Sequence, residues 1–129
     1  MDASKLQVKV ALADDVPGNR TMIARLLERL GHDVVCAVSN GAELVDQCSG
    51  QLVDVVFTDL DMPVMDGLAA AQHLAEKGIP VILVSGHADA EEIVLEYEPV
   101  VCTVLKPVSL ESLQSAIEEA LTGMPRRPR

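Results

Sequence analysis

Residues 53–61 read Val53-Asp54-Val55-Val56-Phe57-Thr58-Asp59-Leu60-Asp61. An apolar run rich in β-branched side chains ends in two carboxylates. Such a run over 53–58 suits a strand buried on both faces, the position of a central strand in a parallel sheet. Upstream, Leu6, Val8, Val10 and Leu12 alternate with the period of two expected of a strand over 6–12. Residues 20–30 carry Met22, Ile23, Leu26, Leu27 and Leu30 on one face and Arg25, Glu28 and Arg29 on the other. That is the 3.6-residue period of an amphipathic helix, ended by Gly31. A second strand over 34–38 and a helix over 42–48 follow, the latter after the Asn40-Gly41 turn. Downstream, an Ala-rich helix over 67–77 closes at Gly78, and a strand spans 80–84. A helix over 88–97, a strand over 100–105 and a last helix over 110–121 complete the pattern. Ser109 caps that last helix and Gly123 ends it. Five strands, each followed by a helix, predict βαβ units and a parallel sheet covered on both faces.

The chain has 129 residues, 20 of them acidic and 10 basic, for a formal net charge of −10. That length fits one domain, and at this size a core forms without disulfide or metal staples. The 49% hydrophobic content excludes an acidic disordered chain, which is depleted in Val, Ile and Leu. Phe57 and Tyr97 are the only aromatics, so aliphatic side chains must fill the core. Three of the ten basic residues, Arg126, Arg127 and Arg129, occupy the last four positions. The rest is therefore strongly acidic, which speaks against non-specific binding to nucleic acid or anionic membranes. Cys36, Cys48 and Cys102 form no close metal-ligand pair and read as small apolar side chains in a reducing compartment. No segment has the pattern of a signal peptide or membrane span, and the expectation is a soluble cytoplasmic protein. One domain over 1–123 and a flexible basic tail over 124–129 are expected.

The polar residues fall in a pattern of their own. Asp14 and Asp15 follow the first strand, Asp59 and Asp61 the third, Ser85 the fourth and Lys106 the fifth. In open parallel sheets, ligands bind outside the carboxyl ends of the strands, and all six residues collect at that edge. Unit charges about 4 Å apart repel by roughly 4 kcal/mol at an effective dielectric near 20. A hard divalent cation relieves that cost. Mg2+ suits best, since it accepts one or two carboxylates together with waters and phosphate oxygens, and Mn2+ is also compatible. Lys106 supplies a compact charge for a phosphoryl oxygen, Ser85 a hydroxyl, and a carboxylate can act as nucleophile to form an aspartyl phosphate. Each residue also has a plainer reading. Asp14-Asp15 could be a cap and turn pair, Asp59 and Asp61 loop acids, Ser85 a turn residue and Lys106 a solvated lysine. In the loop Met62-Pro63-Val64-Met65-Asp66-Gly67, Asp66 caps the next helix and Gly67 relieves backbone crowding. His32 and His73 read as surface residues.

With Asp14-Asp15, the segment 55–67, Ser85-Gly86 and Lys106-Pro107 in order and correctly spaced, the chain resembles the receiver domain of two-component response regulators over residues 6–121. The resemblance implies a flavodoxin-like, doubly wound (βα)5 fold with strand order 2-1-3-4-5, in a stand-alone single-domain type. It implies phosphorylation of Asp59 by a sensor histidine kinase or histidine phosphotransfer protein, and a downstream protein partner. Asp14, Asp15, Asp59 and the backbone carbonyl of Asp61 would hold Mg2+. Ser85 and Lys106 would bind the phosphoryl group, with a cis bond before Pro107. Asp61 and His87 match the positions that tune self-dephosphorylation. The chain departs from the family at Thr103, where Tyr or Phe is usual, and at Pro99-Val100, where Gly-Ala is common. The expectation is a signalling domain and not a turnover enzyme. Two other readings stay open: a receiver-fold docking module without phosphorylation, and a phosphohydrolase of the haloacid-dehalogenase type. The second places its nucleophile on the first strand and lacks support in the order of motifs here.

Overall fold

The computed structural model describes residues 7–86 and 99–122. Five strands form one parallel sheet: β1 (Lys9–Ala13), β2 (Asp33–Val38), β3 (Val55–Asp59), β4 (Val81–Ser85) and β5 (Val100–Leu105). Their order is β2-β1-β3-β4-β5, and every adjacent pair is parallel. Four helices are described: α1 (Pro17–Arg29), α2 (Gly41–Ser49), α3 (Gly67–Glu76) and α4 (Leu110–Thr122). The helix expected over 88–97 lies outside the described residues. Among the described residues, no helix is long and apolar enough to cross a membrane.

The apolar strands feed two separate cores because successive side chains point to opposite faces. Val10, Leu12, Val55, Phe57, Ile82 and Val84 pack with Ile23 and Leu27 of α1 and Leu113 and Ile117 of α4. Ala11, Ala13, Val56, Val81 and Leu83 pack on the other face with Leu44 of α2 and Ala70, Ala71 and Leu74 of α3. The small side chains of β1 and α3 on this second face let the helices approach closely. Fully burying an aliphatic side chain stabilises by roughly 1.5–3 kcal/mol, so the alternation of β1 and β3 fixes their register. A one-residue slip would exchange the two cores.

Helix ends follow local chemistry. Asn40 accepts from the Glu43 N–H at 2.9 Å, and Asp66 accepts from the Ala69 N–H at 2.9 Å. Ser109 accepts from the Ser112 N–H at 3.0 Å. Each satisfies an amide that the first helical turn leaves without an intrahelical partner. α1 begins three residues before the expected start at residue 20 because Pro17 stands in its first turn, where proline's fixed φ suits the helix and its missing N–H costs nothing. β3 begins two residues later than its apolar run. Asp54 accounts for that: its N–H donates to the Lys9 carbonyl at 2.8 Å, and its carboxylate accepts from the Lys9 N–H at 2.8 Å.

His32 departs from the surface position expected of it. It is only 4% exposed. Its Nδ1 accepts from the Val8 N–H at 3.2 Å, and its Nε2 lies 2.9 Å from Gln114 Oε1 on α4. Nδ1 must therefore be the unprotonated nitrogen, with the proton on Nε2. The ring ties the start of β1 to α4. His32→Ala leaves the buried Val8 N–H without an acceptor, and the expected loss is about 1–3 kcal/mol of stability. Urea unfolding checks this: the midpoint falls with an unchanged slope, and an unchanged midpoint would contradict the assignment.

Candidate functional site: an acidic pocket at the carboxyl edge of the sheet

Strand register assembles the site. Ala13 pairs with Thr58, so Asp14 and Asp59 leave neighbouring strands side by side. Asp59 pairs with Val84 and Ser85 with Leu105, which sets Ser85 and Lys106 along the same edge. The Lys106 N–H donates to the Ser85 carbonyl at 2.9 Å, and the Lys106–Pro107 peptide is cis.

One carboxylate oxygen from each of Asp14, Asp15 and Asp59 lies within 4.8 Å of the others. Asp14 is buried, Asp15 exposed and Asp59 partly buried. Lys106 Nζ is 3.3 Å from Asp14 Oδ2 and 3.6 Å from Asp59 Oδ2. Asp59 Oδ1 accepts from the Leu60 N–H at 2.9 Å, and Asp14 Oδ1 accepts from the Val16 N–H at 2.9 Å. Burial holds the Asp59 carboxyl above its ordinary range, and the Asp14 and Asp15 charges add to that. Lys106 and the Leu60 N–H pull in the opposite direction without cancelling it. The pocket is short of positive charge. Its donor set is entirely oxygen, which fits a hard cation such as Mg2+ that also keeps water ligands.

Asp61 is exposed in the loop after β3, and Ser85 is buried at the end of β4. His87 lies outside the described residues. Thr103 is buried on β5. It lines a cavity of about 200 Å3 with Ser112, Ser115, Ala116 and Glu119 of α4. A side chain of ring size is absent at this position, and α4 presents small residues opposite it.

The loop between β3 and α3 is tightly held. The Gly67 N–H donates to the Leu60 carbonyl at 2.9 Å, and the Gly41 N–H to the Met65 carbonyl at 2.9 Å. A Cβ at Gly67 would collide with the Asp59 carbonyl oxygen, and one at Gly41 with the Met65 carbonyl oxygen. Between these pins Val64 is 84% exposed at φ 67°, a left-handed conformation rare for a β-branched residue. Met22, expected on the buried stripe of α1, is 41% exposed beside Lys106 and Pro107. Arg20, six residues after Asp14, donates from Nη1 to the Asp14 carbonyl at 2.7 Å. None of these three features is marked by the motif spacing; Arg20 is legible only as a cation one turn into the helix that follows the acid pair.

Residues 10–118 match the response regulator receiver domain, and the chain belongs to that family. It is 37% identical over 116 residues to the tetrathionate response regulatory protein TtrR of Salmonella typhimurium, covering 88% of this chain and 56% of TtrR. The chain thus spans about half of that relative, and 24% of a protein-glutamate methylesterase of Pseudomonas putida that it matches at 38% identity. Among solved structures, the signal receiver domain of a NarL response regulator from Mycobacterium tuberculosis superposes with TM-score 0.81 at 26% identity, covering 91% of this chain and 98% of that one. A receiver domain of a Pseudomonas aeruginosa sensor histidine kinase, with a magnesium ion in its active-site cleft, shares the fold at TM-score 0.76 and 22% identity, with coverage of 91% and 99%. The chain is a signalling domain of two-component response-regulator type.

The raised Asp59 carboxyl has a consequence for stability. A carboxyl raised in the fold stabilises the folded state only while protonated. That contribution is full below the ordinary aspartate value near 3.8 and is lost as pH rises through the raised folded value. Asp59→Asn therefore melts higher than wild type at neutral pH without divalent cation, and the gap narrows toward about pH 3. Thermal melts across pH check the sign; a variant less stable at neutral pH would contradict it.

Proposed function

We propose that the chain accepts a phosphoryl group on Asp59 and thereby changes its binding to another protein. The observation that carries this is Asp59 Oδ2 lying 3.6 Å from Lys106 Nζ inside a cluster of three carboxylates. The family supports a sensor histidine kinase or a histidine phosphotransfer protein as donor. An Asp59 carboxylate oxygen attacks phosphorus, the phosphorus–nitrogen bond to the donor imidazole breaks, and its electron pair returns to that nitrogen. Lys106 pairs with the incoming phosphoryl oxygens, and the Ser85 hydroxyl donates to them. Asp14 and Asp15, with Asp59 and the Asp61 carbonyl, would hold Mg2+ (or Mn2+), which when bound would supply positive charge to the transferring group. Phosphoryl transfer needs chiefly positioning and charge stabilisation, and these groups suffice.

By the family resemblance, Asp61 and His87 match the sequence positions that tune water attack on the acyl phosphate. With Thr103 in place of an aromatic ring, the output change runs through β5 without a ring rotation. We read residues 1–123 as the receiver and 124–129 as a basic tail. The same reading makes the chain a signalling domain without turnover of a substrate, active in the cytoplasm. Three free cysteines support a reducing compartment. The acidic balance of the chain supports protein partners over nucleic acid or anionic membrane.

Incubation with Mg2+ and acetyl phosphate, followed by intact mass measurement, is expected to show one added phosphoryl group in the wild type and none in Asp59→Asn. Beryllofluoride binding covers a short-lived adduct. Equal labelling of the variant, or a wild type that takes up neither group, would sink the proposal.

A further inference from the structure

Asp14 is 1% exposed, and all its polar groups are occupied. Its N–H donates to the Val38 carbonyl at 3.0 Å. Its carboxylate takes the Val16 N–H and Lys106. Its carbonyl accepts from Arg20 Nη1 at 2.7 Å, the shortest of these bonds and charge-assisted. That carbonyl belongs to the peptide leading into Asp15. The peptide is planar, so its oxygen and the Cα of Asp15 move together. The next peptide is held by the Val16 N–H on Asp14 Oδ1, so with the oxygen anchored both peptides flanking Asp15 are held, and together they set the direction in which its exposed side chain leaves the backbone. Arg20 itself is set by α1, where its N–H donates to the Val16 carbonyl at 3.0 Å. The guanidinium thus closes a ring over residues 14–20, the segment that carries both acids.

We infer that Arg20 is a positioning residue for the cation site: it aims the Asp15 carboxylate by holding the Asp14 carbonyl. The inference rests on the reading of the pocket as a Mg2+-dependent phosphoryl acceptor. Simple electrostatics makes the opposite prediction. A guanidinium beside the pocket repels a second cation, so its removal alone would tighten Mg2+ binding. The sign of the change separates positioning from charge. Loss of a partner that orients a metal ligand weakens affinity by about 10–100-fold.

The test is a Mg2+ titration followed by backbone amide NMR shifts in wild type, Arg20→Ala and Arg20→Lys. Positioning predicts a Kd for Mg2+ raised about tenfold or more in Arg20→Ala, with Arg20→Lys between it and wild type. Labelling by acetyl phosphate then needs more Mg2+ for half its maximum, while the rate at saturating Mg2+ stays close to wild type. A lower melting temperature with an unchanged Kd would make Arg20 merely structural, and a tighter Kd would make it only a charge; either overturns the inference. Should Arg20→Ala fail to fold, Arg20→Lys decides by the same sign. A wild type that binds no Mg2+ overturns the underlying reading and the inference with it, and shows itself before any variant is made.

Discussion

Repulsion among three carboxylates held together by a rigid sheet is the constraint around which this molecule is organised. Asp14, Asp15 and Asp59 converge within 4.8 Å, and Lys106 brings a positive charge to two of them. The apolar register of β1, β3, β4 and β5 makes the convergence unavoidable. Sliding any strand to separate the charges would exchange its two buried faces. The hydrophobic cores thus maintain a pocket that is electrostatically unfavourable when empty of added positive charge. A site of that kind gains from any ligand that brings positive charge.

The surrounding loops keep the pocket in register with the scaffold. Gly67 lets the chain return against the Asp59 carbonyl, Asp66 just before it caps α3, and Arg20 fastens the β1–α1 turn. On the far side of β5, the cavity beside Thr103 leaves room where the family usually places a ring. The acidic edge carries the acids and the lysine of the family pattern, and the cavity between β5 and α4 is lined by Thr103, Ser112, Ser115, Ala116 and Glu119.

Much of this was legible from the residues alone. The β-branched run ending at Asp59 gave a central strand, and the end of each strand gave a member of the polar edge, because both depend on local periodicity. Boundaries shifted where side chains outside the periodic pattern intervened, as Asp54 did at the start of β3 and Pro17 at the start of α1. His32 was not legible. Its burial depends on Val8 and Gln114, partners distant in sequence, and nothing local marks a histidine after a glycine turn as interior. Met22 shows the converse: the helical stripe is wider than the surface the sheet covers, so its outermost member stays exposed. The positive φ of Val64 is that of the central residue of a γ-turn, closed by the Met65 N–H on the Pro63 carbonyl at 2.7 Å, and it leaves no mark on residue type.

The most direct test of the account is a crystal structure determined with Mg2+ and beryllofluoride. The account predicts beryllium bonded to an Asp59 oxygen, with Lys106 Nζ and the Ser85 hydroxyl on its fluorides. A metal ion should sit about 2.0–2.1 Å from carboxylate oxygens of the Asp14, Asp15 and Asp59 cluster. Beryllofluoride on another carboxylate, or a pocket in which Lys106 stays on Asp14 and no cation binds, would contradict it.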